Sequence, residues 1–294
     1  EDISQNQRSA ERKIDEGIQR ARDLQKSIDD AQEKLRGKQS LDWQDKKMLE
    51  DLINQKNKLD EAIQNLQKEN KLLEQKKNAF SEENERIREK SEQIQKLMDE
   101  LLDEETKKMF EELQKLLQEN ADVNQMQKML DKLDRKEINL EKELERTLAL
   151  FKELQYDYKL DQAIQELKDQ TEKQESLLEK TENQSNNKNN TDKPSQQELA
   201  NEQKDLQEKF ENLEQQLEEL DKLGEELNKE ESSDAESQEE ISESQQESEQ
   251  SLEKGDNKNS GEQQKKAISK MKEMTQKMEG MQSSMQMEMD QQNL

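Results

Sequence analysis

The stretch KMKEMTQKMEGMQSSMQMEMD, near the end of the chain, holds seven of its twelve methionines. Thioether sulfur is a soft ligand, so this concentration raises the chemistry of Cu(I) capture. Unbranched, polarisable side chains also build adaptable apolar grooves for varied partners. The third reading is a helix seam. Ala267, Met271, Met274, Met278, Met281 and Met285 recur at alternating spacings of four and three, the rhythm of one face of a helix. That rhythm needs no metal, and the chain has no histidine or cysteine to assist one. The seam reading leads, and Met271, Met274, Met278, Met281 and Met285 remain the candidate partner-binding face.

Other chemistry finds less footing. Carboxylate runs such as DEE, EEL and EEN occur throughout, so their spacing carries no information. Acid–base work needs a desolvated pocket that shifts a pKa, which solvated helix faces do not supply. Without histidine or cysteine there is no imidazole base, thiolate nucleophile, disulfide or thiolate zinc site. GDNKNSGEQ lacks both the spacing and the lysine of a phosphate-cradling loop. Trp43 reads as a cap-side packing residue after QSLD rather than an anchor for a partner. Tyr156 and Tyr158 read as plugs of a local core. No catalytic residue, cofactor or metal site is expected, and the chain is expected not to be an enzyme.

The elements that would carry these residues follow from composition and period. Of 294 residues, 41% are charged and only 27% hydrophobic, with a formal net charge of −26. Such content alone belongs with disordered chains. Yet one proline and six glycines are too few for disordered linkers, and Glu, Lys, Gln and Leu suit long helices. The acidity disfavours nucleic acid and anionic membrane surfaces, which require clustered cations. Protein partners or self-association remain. No apolar run approaches the roughly 18–20 residues that span a bilayer. The chain opens on EDISQNQ without an initiator Met and stops mid-pattern at Leu294; it is expected to be a piece of a larger protein, with any anchor or targeting signal outside it.

Seven segments emerge. A heptad helix over 1–37 carries Ala10, Ile14, Ala21, Leu24, Ile28, Ala31 and Leu35, with Gly37 as its stop and Ser40 as the next N-cap. Over 40–102, Leu52, Leu59, Leu66, Leu73, Phe80, Ile87, Ile94 and Leu101 form an unbroken seven-residue column. Its companion column (Leu49, Lys56, Ile63, Asn70, Lys77, Asn84, Ser91, Met98) is mostly polar, a device that weakens a seam but fixes register. Residues 103–182 read as short helices forming a small packed bundle, with Asp122 as a cap after a break at NADVNQ. A phase slip is expected after YDY. An Asn-rich linker covers 183–195. It ends in PSQQE, where Ser195 and Glu198 match a capping box. A further coiled-coil helix over 196–228 carries Leu199, Leu206, Leu213, Leu220 and Leu227, with Gln203, Phe210, Leu217 and Gly224 in the second column. Residues 229–265, almost without apolar side chains, are expected to be disordered. The Met-rich helix fills 266–294.

Two blocks go beyond generic heptads, LMDELLDEETKKMFEELQKLLQEN and LEKELERTLALFKELQYDYKLDQAIQELKDQTEKQESLLEKT, and a third, AISKMKEMTQKMEGMQSSMQMEMDQQNL, stands out by its Met/Gln-rich composition. They resemble an uncharacterised family of large membrane proteins of Bacteroidota, a domain of unknown function sometimes labelled ATPase. The resemblance covers about a third of the chain. It implies membrane helices N-terminal to this segment and a long helical region outside the cytoplasm. It supplies no activity and no functional residues, and no nucleotide loop accompanies the ATPase label here.

The expectation is an all-α, elongated coiled coil or set of helical hairpins with a small central bundle and a disordered acidic segment. Its expected task is that of a spacer, stalk or assembly scaffold in a membrane-tethered cell-envelope protein, this segment being periplasmic; a cytoplasmic location is the alternative. The seams would close as intramolecular hairpins or between identical chains. The alternative function is a partner-binding module whose Met-rich face and acidic tail engage basic or apolar protein segments.

Overall fold

The computed structural model describes residues 2–78, 85–100, 104–119, 122–186, 194–232 and 235–292. Among them the chain is all-α, without a strand. The helices are α1 (Asp2–Leu35), α2 (Trp43–Asn78), α3 (Glu85–Glu100), α4 (Glu104–Gln118), α5 (Val123–Asn186), α6 (Gln196–Glu226), α7 (Ala235–Glu253) and α8 (Asn257–Gln292). They form two compact units, residues 1–154 and 155–294. The helix α5 contributes its first half to one and its second half to the other.

In the first unit every aliphatic seam position of α1 from Ala10 to Leu35 is buried. The helix stops where Gly37 takes φ 78, a left-handed conformation that a Cβ disfavours. The start of α2 is set by Asp42 rather than Ser40. Asp45 N–H donates to Asp42 Oδ1 (2.9 Å) and Asp42 N–H donates to Asp45 Oδ2 (3.0 Å), a reciprocal box. The Asp45 backbone N–H holds the Asp42 carboxyl below the usual carboxylate range, with Lys38 assisting. Inter-helix pairs run in opposite senses along neighbouring helices: Ser27–Gln55 between α1 and α2, Gln67–Met98 between α2 and α3, and Lys90–Glu153 and Lys136–Glu105 between α5 and α3 or α4. Arg22 of α1 grips Glu141 and Glu145 of α5 at 2.5 and 2.6 Å. The unit is thus an antiparallel four-walled bundle of α1, α2, the α3–α4 run and the first half of α5.

The second unit repeats that plan with the second half of α5 and α6, α7 and α8. Lys159–Glu219 and Lys180–Glu202 align α5 with α6; Glu214–Ser242 and Gln196–Leu252 align α6 with α7; Lys270–Glu240 aligns α7 with α8. Lys265–Glu182, Lys272–Glu175 and Lys168–Glu279 return α8 to α5. The capping box expected at Ser195 is present, with both reciprocal bonds made. Two Schellman turns close the hairpins. Asn228 (φ 54) ends α6, where Lys229 N–H donates to Gly224 O (2.8 Å); Gly255 (φ 77) ends α7, where Asp256 N–H donates to Ser251 O (2.8 Å). Asp256 also caps α8 by accepting the Asn259 N–H (3.1 Å).

Several sequence expectations change. The acidic segment 229–265 is not disordered: it holds α7 and the start of α8. Its apolar content is too low to order a free chain, but a bundle supplies partners. Ile241 and Leu252 reach the core, and Ser244, Gln245, Ser248 and Ser251 are buried with them. The bundle expected over 103–182 is divided at Leu154, and its short helices after Asp122 are one helix of 64 residues. Asp122 does cap that helix, accepting the Asn124 N–H at 3.0 Å. The single long helix over 40–102 is α2 and α3; residues 79–84 and 101–103 lie outside those described. The linker expected from 183 begins later, since α5 runs to Asn186, and α8 begins at Asn257 rather than 266.

Candidate functional site

Seam positions in the second unit point inward whatever their side chain, so the amides and hydroxyls placed there are buried. Gln174 and Thr181 of α5, Gln203 of α6, Ser248 of α7, and Ser260 and Gln264 of α8 are each fully buried, and Gln245 of α7 is 1% exposed. Gln174 and Gln203 bond reciprocally, Nε2 of each donating to Oε1 of the other (2.8 and 3.1 Å). Gln203 Oε1 also accepts from Ser248 Oγ (2.9 Å) and from Gln264 Nε2 (3.2 Å). Gln245 Nε2 donates across the core to Gln174 Oε1 (3.2 Å), and the Ser248 and Ser260 hydroxyls lie 2.9 Å apart. All four helices therefore meet in one polar layer centred on Gln203. Gln245 Oε1 and Gln264 Oε1 end the network without a donor.

Apolar packing closes the layer on both sides. One cluster contains Phe210, Leu213, Leu217 and Ile241 with Met271, Met274 and Met278. The other contains Leu177, Leu199, Ala200, Leu206 and Leu252. In these surroundings each unmatched hydrogen bond costs about 1–3 kcal/mol, so an arrangement that misaligned the four helices by a turn would leave several donors stranded. The layer carries no titratable group and cannot move a proton. What it does is discriminate one helix register from others.

The seam residues read from the sequence fall as follows. Leu52, Leu59, Leu66, Ile87 and Ile94 are buried in the first unit, with Lys56 beside them. Lys56 pairs with Asp60 (2.8 Å) and lies 5.8 Å from the Phe110 ring centre. The Leu73 side chain, Phe80 and Leu101 lie outside the described residues. Leu199, Leu206, Phe210, Leu213, Leu217 and Leu220 are buried, and Leu227 packs at the rim of its cluster. Met271, Met274 and Met278 are core residues; Met281 and Met285 are half-buried. The inner methionine sulfurs thus sit among aliphatic and aromatic side chains. Among the described residues no group of His, Cys, Asp or Glu could hold a metal ion.

Trp43 does not pack under the cap. It is 72% exposed, with the Lys47 ammonium 5.3 Å from its ring centre, because the first turn of α2 points it away from Leu49 and Leu52. Tyr156 is buried and its ring stands where a Cβ on Gly224 would come within 3.0 Å. Tyr158 is half-buried; burial, with Asp161 nearby, pushes its phenol above the ordinary value. Of the glycines of GDNKNSGEQ, Gly255 turns the chain, whereas a Cβ on Gly261 would make only an ordinary 3.6 Å contact with Leu178.

Sequence reasoning missed the polar layer, although a signal existed. Gln203 stands in the column of Phe210 and Leu217, and Gln245, Ser248 and Leu252 continue the rhythm of Ile241 at spacings of three and four. Among the described residues no helix is long and apolar enough to cross a membrane. No protein-family model, curated protein or solved structure matches the chain.

Proposed function

We propose that this chain is a non-enzymatic helical spacer or assembly scaffold, a structural segment of a larger protein. The observation that carries the reading is the buried Gln174–Gln203 pair with its Ser248 and Gln264 donors. Buried polar groups directed at one another serve the order and register of helices rather than a ligand. Apart from a few buried groups such as Asp45, Lys56 and Lys90, the charges lie on solvated helix faces, where a net charge of −26 favours solubility and self-repulsion. On the resemblance to the Bacteroidota family, the larger protein is membrane-tethered and this segment stands in the cell envelope. The alternative, partner capture by the Met-rich face, draws less support because Met271, Met274 and Met278 are packed in the core.

The test is replacement. In the parent protein, an unrelated cysteine-free helical bundle of equal span, put in place of this chain, retains function if the segment is a spacer. Loss of function on that exchange, with the parent protein still made and located normally, overturns the reading.

A further inference from the structure

The helix α7 differs from its three neighbours in the second unit on both faces. Inward, its aliphatic core contacts are Ile241 and Leu252; the other buried positions are Ser244, Gln245, Ser248 and Ser251. Outward, Glu236, Glu239, Glu243, Glu247 and Glu253 project into solvent. No lysine or arginine stands between Lys229 and Lys254. Glu239–Glu243 and Glu243–Glu247 are like-charge neighbours one turn apart, which oppose helix formation. The facing wall adds to this: a groove of about 950 Å³ between α6 and the α6–α7 connection is lined by Glu211, Glu214, Glu218, Asp221 and Glu225, with Lys222 and Lys229 as its cations. By contrast, among the described residues α8 is tied to α5 by three inter-helix ion pairs, against one, Glu240–Lys270, between α7 and α8.

We propose that α7 is a strap: a helix loaded by its own charge that undocks ahead of the rest of the bundle and uncovers the apolar cluster which Ile241 joins. That cluster includes Phe210, Leu213 and Leu217 of α6 and Met271 and Met274 of α8. Undocking is opposed by the hydrogen bonds of Gln245 and Ser248 and by those that Glu214, Gln196 and Asn259 make to Ser242, Leu252 O and Ser251; it is promoted by low ionic strength, because screening shortens the reach of surface repulsion. The strap goes beyond the spacer role and does not depend on it.

Hydrogen exchange read by mass spectrometry on the full chain tests the idea. At low salt, amides of α7 exchange at least about tenfold faster than those of α6 between Leu199 and Leu220, as a separate low-stability unit would. Raising salt to about 0.5 M slows α7 roughly two- to fivefold and leaves α6 unmoved. A second variant tethers the strap. Ser248→Cys with Ser260→Cys places two thiols where the hydroxyls lie 2.9 Å apart, in a chain with no other cysteine. Oxidised, this variant loses the fast exchange of α7 and the low-salt binding of a hydrophobic dye; reduction restores both. If the tethered chain does not fold, Glu239→Gln, Glu243→Gln and Glu247→Gln together slow α7 exchange by the same two- to fivefold as salt. Exchange of α7 in step with α5, α6 and α8, or indifference to both salt and charge removal, overturns the strap while leaving the spacer reading in place.

Discussion

The two bundles share a plan and differ in what they bury. The first places charges at inner positions: Asp45, Lys56 and Lys90 are each less than a tenth exposed, and they pair with Lys38 (2.6 Å), Asp60 (2.8 Å) and Glu153 (3.0 Å). The second places neutral amides and hydroxyls at its centre and, among its described residues, buries one charge, Asp157, near its sequence boundary with the first unit. Both devices make a wrong register expensive, because a polar group misplaced in a core forfeits its partner. They differ in what can unsettle them. Ion pairs answer to acid and salt, whereas an amide layer answers to neither. The same antiparallel architecture can thus be specified by two polar vocabularies with opposite environmental sensitivities.

Substitutions can break or sharpen that contrast. The largest effect belongs to the apolar cores. Leu59→Asp and Leu213→Asp each bury a charge at a fully buried site and remove about 4 kcal/mol or more from their own bundle. Helical circular dichroism then shows a partial loss with a surviving second transition; loss of all helicity from either change shows that the bundles do not fold as separate units. Next comes Gln203→Ala, which removes the acceptor shared by Gln174, Ser248 and Gln264, leaving Ser248 with Ser260 and Gln264 with Thr181, and costs about 2–3 kcal/mol by urea denaturation. Replacing Gln174, Gln203, Gln245 and Gln264 together by Leu is near neutral or stabilising, and it relaxes register, read as broadened amide resonances. If the fourfold variant keeps a single sharp spectrum, the layer is not a register device.

Gly37→Ala and Gly255→Ala, one in each unit and both at positive φ, are each expected to cost about 1–2 kcal/mol. Equal losses fit a purely local backbone effect. A smaller effect comes from acid. The folded-state pKa of Asp42 is depressed, so its contribution is present above the ordinary carboxylate range and is lost as pH falls through the depressed value. Asp29 has the opposite sign: burial, with Asp134 nearby, raises its carboxyl, so its contribution is present at low pH and fades as pH rises. Asp42→Asn removes part of the acid sensitivity of the first bundle and none from the second, as urea midpoints across acidic pH would report. Smallest is Trp43→Ala, expected within about 0.5 kcal/mol of the parent because the ring is mostly solvated.

Much of the fold was legible in the heptad columns. Leu52, Leu59 and Leu66, and Leu199 through Leu220, are core because helical period and apolarity coincide there. The capping box at Ser195 was legible because its two side chains satisfy each other locally. What was not legible depends on tertiary partners. The helix α7 looks soluble and structureless in isolation, since Ser248 and Gln245 become core-forming only when Gln174, Gln203 and Ser260 face them. Ser40 lost the cap to Asp42 for a local reason that spacing alone could have revealed: Asp45 stands three residues on and returns the bond. The polar layer itself was half visible, as a glutamine inside a leucine column, but its meaning required knowing which helices lie opposite.

The turn of Lys254, Gly255 and Asp256 has one more consequence. It is short, and its left-handed glycine, together with the Asp256 cap and the Ser248–Ser260 contact, keeps α7 and α8 from continuing as one straight rod. A residue that prefers helix at that corner would favour the opened hairpin, whose α7 could then complete the bundle of a neighbouring molecule and receive that molecule's α7 in return. The glycine at the corner therefore helps hold α7 and α8 in the closed hairpin.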